Sequence, residues 1–226
     1  MNDQTIQPAP LRIDFVSDVV CPWCAIGLAA LEQALERTAG EVHAEIHFQP
    51  FELNPQMPAE GEDITEHLQR KYGLSEAQLV ENQERIRERG AELGFSFGMG
   101  ARTRTWNTFD AHRLLHWAGL EGEGKQAALK HALLGAYFTD GKNVSDHATL
   151  LELVQTVGLP AARAQAILAS DEFSNEVRAD EERYRRNGIS AVPAVIINRR
   201  HLISGGQPVE VFERALRQIA QAGDAP

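Results

Sequence analysis

The sequence predicts an α/β fold in which two pieces of one small sheet are separated along the chain by a long α-helical insertion. Three observations predict it. Strand patterns at Leu11–Ser17 and Glu45–Phe51 flank a helical stretch, the spacing of a βαβ unit with parallel strands. From Asn54 to Asn187 the periodicity is helical and interrupted only by loops. Strand patterns then return at Ala194–Ile197 and His201–Ser204, ahead of a closing amphipathic helix.

Residues 1–10, with Pro8 and Pro10, read as a loose tail. In the first strand Leu11, Ile13 and Phe15 alternate with Arg12, Asp14 and Val16, so one face is expected to be the more buried. The helix that follows places Leu28, Leu31 and Leu35 on one side and stops at Gly40. Asn54-Pro55 and Met57-Pro58 mark a loop. Asp63 with Glu66, and Ser75 with Gln78, match the capping box that opens a helix, and Leu74 with Leu79 adds a hydrophobic staple to the second. Leu79, Gln83, Ile86, Gly90 and Leu93 then form a stripe, and 94–100 is a loop rich in Gly, Phe and Ser. Further helices are expected at Thr108–Ala118, Lys125–Phe138, Ser145–Val157, Pro160–Leu168 and Glu172–Asn187, with no strand among them. Asn198-Arg199-Arg200 turns a β-hairpin, Pro208 opens the last helix, and Val209, Phe212, Leu216 and Ile219 form its apolar stripe. The order βαβ, helices, ββα is that of the thioredoxin fold with an insertion. Its sheet unit falls into 11–60 and 188–222, and the helical insertion spans 61–187.

Composition sets bounds on function. A chain of 226 residues suits one large domain or a domain with an insertion. With 43% hydrophobic and 24% charged residues it can bury a sizeable core. A net charge of -10 argues against nucleic-acid binding, and Arg102-Thr103-Arg104 and Arg199-Arg200 read as solvated surface. No run approaches the length of a membrane span. Taking Met1 as the true start, the opening residues carry neither a basic segment nor an apolar one, so no secretory signal is expected and the cytoplasm is the default compartment.

The chemistry centres on Cys21-Pro22-Trp23-Cys24, which holds both cysteines of the chain at a strand-to-helix junction. In a cytosolic protein that placement is a redox signature. The thiolate is the reactive form of cysteine. The first turn of a helix favours an anion through its unpaired N–H groups and the positive end of its dipole. Pro22 suits that first turn, where its missing N–H costs nothing. Cys21 is therefore the expected nucleophile, and Cys24, one turn on, the resolving thiol. Two plainer readings stand beside this one. A structural zinc site would need a second pair of ligands, and no second C-x-x-C is present. The pair could also be two core thiols. No metal and no bound cofactor is expected beyond the redox-active Cys21–Cys24 disulfide. A cytosolic dithiol is kept mostly reduced, which favours a reductase or isomerase over a net oxidant.

Val192-Pro193 precedes the hairpin. A proline there is ordinarily a strand-edge residue. In this fold a cis Pro193 would turn Val192 toward the cysteines, so that its N–H and C=O could pair with a bound peptide as an added strand. Pro22, Trp23, Val192, Pro193 and Asn107 are the candidate substrate-binding residues. For Asn107 and Thr108 a helix-capping role competes, and for His112 that of a satisfied helix histidine. Asp14 or Asp18 is a candidate proton relay to Cys24, although Asp18 is more simply a solvated loop acid. Trp106, Phe95 and Phe97 read as core rather than a substrate wall, and Glu181-Glu182-Arg183-Arg185-Arg186 as a solvated helix face.

Cys21-Pro22-Trp23-Cys24, the stretch Phe51-Glu52-Leu53-Asn54-Pro55, Asn107-Thr108 with Ala111-His112-Arg113, and Gly188 through Pro193 resemble the DsbA-like thioredoxin family, and within it the FrnE type, over about residues 11–220. The resemblance implies thiol–disulfide oxidoreductase or isomerase activity, with the family's two cysteines and cis proline at Cys21, Cys24 and Pro193. DsbA itself is periplasmic and has His between its cysteines, where this chain has Pro22-Trp23. The strong oxidant role is therefore not expected to carry over. The superfamily also contains kappa-class glutathione transferases and 2-hydroxychromene-2-carboxylate isomerases, which commonly place Ser at the first motif position. Cys at both positions favours a dithiol cycle here. The expected partners are protein or peptide disulfides and thiols, with glutathione or the thioredoxin system as redox partner. A glutathione-dependent small-molecule isomerase or transferase is the alternative, and a non-enzymatic binding module, with the cysteines as a redox sensor or a zinc clip on a partner, a third.

Overall fold

A computed structural model describes residues 10–98 and 100–222. The expected loose N-terminal tail lies outside the described residues except for Pro10. Strand β1 (Leu11–Ser17), helix α1 (Pro22–Thr38) and strand β2 (Ala44–Pro50) form the βαβ unit, with β1 and β2 parallel and Phe15 paired with Phe48. Strands β5 (Ala194–Ile197) and β6 (His201–Ser204) form the hairpin, and α9 (Val209–Ala222) closes the chain against α1. The sheet order is β2-β1-β5-β6, with β5 antiparallel to β1. This is the thioredoxin fold with helices inserted after β2.

Strand β1 departs from the one-sided burial expected of it. Ile13, Phe15, Asp14, Val16 and Ser17 are all buried, because β1 lies inside the sheet between β2 and β5 and is covered on both faces. Full burial of a side chain such as Ile13 or Phe15 stabilises the fold by about 1.5–3 kcal/mol. The edge strand β6, by contrast, is largely exposed.

A two-residue ladder, β3 (Glu62–Asp63) against β4 (Arg104–Thr105), corrects the expectation of a strand-free insertion. Strands this short leave no alternation to read. The ladder ties off a loop carrying α2 (Ile64–Tyr72) and α3 (Glu76–Glu92). Asp63 caps α2 by accepting from the Thr65 and Glu66 N–H groups at 2.8 and 3.0 Å. Ser75 and Gln78 make the reciprocal capping box of α3. Gly73 ends α2 with φ 67°, a left-handed conformation that favours glycine.

The remaining helices are α4 (Phe109–Ala118), α5 (Lys125–Phe138), α6 (His147–Thr156), α7 (Ala161–Leu168) and α8 (Ser174–Arg186). One continuous hydrophobic core joins helices α4 through α7 to the sheet, running from Phe15, Ile26 and Phe48 to Trp117, Leu133 and Tyr137, and a second, smaller cluster joins Tyr184 of α8 to Val16, Phe51, Ile189 and Ala194. Phe97 is buried in that core, 5.2 Å from Phe138 between ring centres, and Phe95 and Trp106 pack against it. Helix α8 differs from the solvated face expected of it. Glu182, Arg183, Arg185 and Arg186 are exposed, but Glu181 is fully buried where α8 meets the chain after β2.

Candidate active site

Cys21 is the N-cap residue of α1, with Pro22 at the first helical position. The Cys24 N–H donates to the Cys21 carbonyl at 3.0 Å, which folds the motif into one turn. The two sulfurs are free thiols with different surroundings. Cys21 borders a groove of about 790 Å³, whereas Cys24 is completely buried. Burial pushes the Cys24 thiol well above the usual cysteine range, and the adjacent Cys21 adds to the shift.

The Val192–Pro193 peptide is cis. The Cys21 thiol donates to the Val192 carbonyl at 3.6 Å, so the motif and the entrance of β5, 171 residues apart, form one surface. Pro22, Trp23 and Val192 line the groove together with Cys21. Pro193 packs against α1, where a Cβ on Gly27 would come within 3.0 Å of its ring. Asn107 is not part of the groove lining. Its side chain donates to the Met57 carbonyl at 3.2 Å and accepts from the Phe109 N–H at 2.9 Å, which holds the start of α4.

The far wall of the groove comes from α2 and α3 and includes Ile64, Leu68, Leu79 and Ile86. Its charge is one-sided. Lys71, Arg85, Arg102 and Arg185 line it against one carboxylate, Glu52. The Lys71 ammonium donates to the Leu53 carbonyl at 2.8 Å and to Asn54 Oδ1 at 2.6 Å. Partial burial lowers its pKa, while Asp18 and Cys21 act in the opposite sense. Tyr72, beside it, is raised by burial and by Cys21. Neither residue belongs to a motif, and no spacing in the sequence points to them.

Beneath the groove Asp18 is fully buried, not the solvated loop acid expected from sequence. Its Oδ2 accepts from the Leu53 N–H at 2.7 Å and its Oδ1 lies 3.3 Å from His112 Nε2. Burial opposes its ionisation, but His112, the Leu53 N–H and Thr108 together hold it below the usual Asp range. His112 is thus a satisfied helix histidine, and its partner sits beside the motif. Asp14 is engaged elsewhere, by Arg12 at 2.7 Å and Gln49 at 2.8 Å. A second buried network joins Glu52 and Glu181 to Arg178. The Glu52 N–H donates to Glu181 at 3.2 Å, and Arg178 donates to Glu181 at 2.9 Å and also to Glu52. Burial, then repulsion from Glu181, raises the Glu52 carboxyl.

His43 with His47, and His112 with His116, have the four-residue spacing of some metal-ligand pairs. Among the described residues, however, no three His, Cys, Asp or Glu side chains gather as a metal site requires. No helix among them is long and apolar enough to cross a membrane.

Fold and site together define a thioredoxin-fold protein with two thiols at a helix start and an overhanging helical segment. The chain belongs to the DSBA-like thioredoxin domain family, whose model matches residues 12–217. The family is one of thiol oxidoreductases. Among solved structures, a probable DsbA oxidoreductase from Streptomyces coelicolor is 34% identical, with a TM-score of 0.86 over 96% of this chain and 92% of that one. A 2-hydroxychromene-2-carboxylate isomerase shares the fold at 13% identity, with a TM-score of 0.70 over 93% and 97% of the two chains. So does the cytosolic disulfide reductase DsbM of Pseudomonas aeruginosa, solved with GSH, at 18% identity and a TM-score of 0.63 over 92% and 98%.

Proposed function

We propose that the protein is a thiol–disulfide oxidoreductase of the FrnE type, acting on protein or peptide disulfides as a reductase or isomerase through a Cys21–Cys24 dithiol cycle. One observation carries this: a thiol at a groove, beside an X–Pro carbonyl, with a second thiol sealed one turn away. The Cys21 thiolate attacks a substrate disulfide, forms a mixed disulfide and releases one substrate thiolate. Cys24 then attacks the Cys21 sulfur, closing the Cys21–Cys24 disulfide and releasing the second. Val192 offers backbone groups to an extended client, and Pro22 and Trp23 form the floor next to the sulfur. A reducing compartment such as the cytoplasm suits this direction, and the likeness to a cytosolic reductase supports it.

Cys24→Ser should accumulate mixed disulfides with client proteins, and Cys21→Ser should not. Equal trapping by both variants, or by neither, contradicts the cycle. Insulin reduction and refolding of scrambled ribonuclease, run on both variants, separate reductase from isomerase.

The cationic groove favours a second reading, in which glutathione is the redox partner or the activated co-substrate of a small-molecule isomerase or transferase. Activity of that kind would survive Cys24→Ser, because only the dithiol cycle needs a resolving thiol.

A further inference from the structure

Helix α5 buries a lysine whose charge the fold leaves unanswered. Lys130 is 1% exposed, and no ion pair or hydrogen bond with a described residue holds its ammonium. An ammonium taken out of water without an acceptor carries a large desolvation cost. The buried carboxylate that acts on it, Asp18, has both oxygens taken, by His112 and the Leu53 N–H, and makes no ion pair with it. Lys130 lines a second cavity, of about 170 Å³, that shares no lining residue with the groove. The walls come mainly from β2, α4 and α5, and the exposed Leu120 also lines it, so the cavity reaches the surface. Phe48, Leu115 and Leu120 supply apolar wall beside the ammonium. The Gln126 amide, also in the lining, is spent on the Phe48 backbone and the Leu115 carbonyl. The one acid among the described lining residues, Asp180, pairs with Arg183 at 2.8 Å.

We propose that this cavity binds a small monocarboxylate with a short apolar chain, its carboxylate seated on the Lys130 ammonium and its chain against Phe48, Leu115 and Leu120. A buried ammonium that lines a void calls for an acceptor carrying negative charge, and a charge-assisted hydrogen bond is about twice as strong as a neutral one. A carboxylate brings a single charge, whereas a phosphate would bring more of it toward the Asp180 side chain. The apolar wall has no use for an inorganic ion and matches an alkyl chain. Pockets for drug-sized ligands run to about 300–1,000 Å³, so this cavity suits a small acid rather than a peptide. Burial lowers the lysine's pKa, and a bound carboxylate would act against that shift. Neither cysteine belongs to the lining, and a client in the groove would leave the cavity open.

The test is a titration of the reduced protein with sodium butyrate at pH 7 and constant ionic strength, followed by calorimetry and by isotope-filtered NMR. Wild type should bind butyrate saturably, with NOEs from its chain to the side chains of Phe48 and Leu115. Butyramide, of the same shape without the charge, should bind about 10-fold more weakly or worse, and inorganic phosphate more weakly than butyrate. Lys130→Met keeps the bulk and removes the charge, and should weaken butyrate binding by about 10–100-fold, the range of a hydrogen bond to a charged group. This variant should fold, because it removes an unpaired buried charge; the wild-type NOEs locate the site without it. Absence of saturable butyrate binding to wild type overturns the proposal. So do NOEs confined to the groove residues Leu68 and Leu79, equal affinity for butyramide, tighter binding of phosphate, or unchanged butyrate affinity in folded Lys130→Met.

Discussion

The two sides of the motif differ more than a separation of one helical turn suggests. On the Cys21 side a groove opens, cationic and partly apolar, with a backbone carbonyl in contact with the sulfur. On the Cys24 side the sulfur is completely buried, close to the Asp18 backbone, and its thiol is pushed up by burial. The difference teaches a division of labour. In the proposed cycle one thiol would meet the client, and the other would stay protonated until the client is attached.

The largest expected effect is on the cycle itself, where Cys21→Ser should abolish insulin reduction and client trapping together. Asp18→Asn should come next, because it weakens the contact with His112 and the acceptor for the Leu53 N–H. Urea unfolding at pH 7 should show a loss of about 1–3 kcal/mol. The sign with pH follows from the lowered folded-state pKa. Asp18 contributes stability that is present above its ordinary value of 3.8 and is lost as pH falls through the folded value. The gap between wild type and variant should therefore narrow below about pH 4.

Lys71→Met sharpens the comparison from the groove side. It should slow attack on an acidic peptide disulfide by several-fold, about 3–10-fold, and leave a neutral one nearly unchanged; added salt should shrink the difference. An equal effect on both substrates would assign Lys71 to holding Leu53 and Asn54 only. Gly27→Ala should have the smallest effect. Its new Cβ would meet the Pro193 ring at 3.0 Å and Gly206 Cα at 3.4 Å. The overpacking should outweigh the gain in helix propensity and lower stability by about 1 kcal/mol on thermal unfolding.

What the sequence made legible was local. The motif, the helix it opens and the hairpin after Val192-Pro193 each follow from residues a few positions apart, and the observed bounds of β5 and β6 match the pattern. The surroundings of the thiols were not legible, because they come from distant pairings. His112 meets Asp18 across 94 residues, and Arg178 meets Glu52 across 126. Asp18 and Glu181 look like surface acids in a linear string, and only the tertiary packing, with α4 and α8 against β2, buries them. Lys71 and Lys130 carry no signal at all, since a lysine within a helix is ordinarily solvated.

The most direct measurement of the two-sided motif is site-resolved alkylation of the reduced protein. Limiting iodoacetamide at neutral pH, read by peptide mass spectrometry, should label Cys21 and leave Cys24 unmodified until the protein is unfolded. Labelling of Cys24 at a rate equal to or above that of Cys21 would contradict the division of roles between the two thiols.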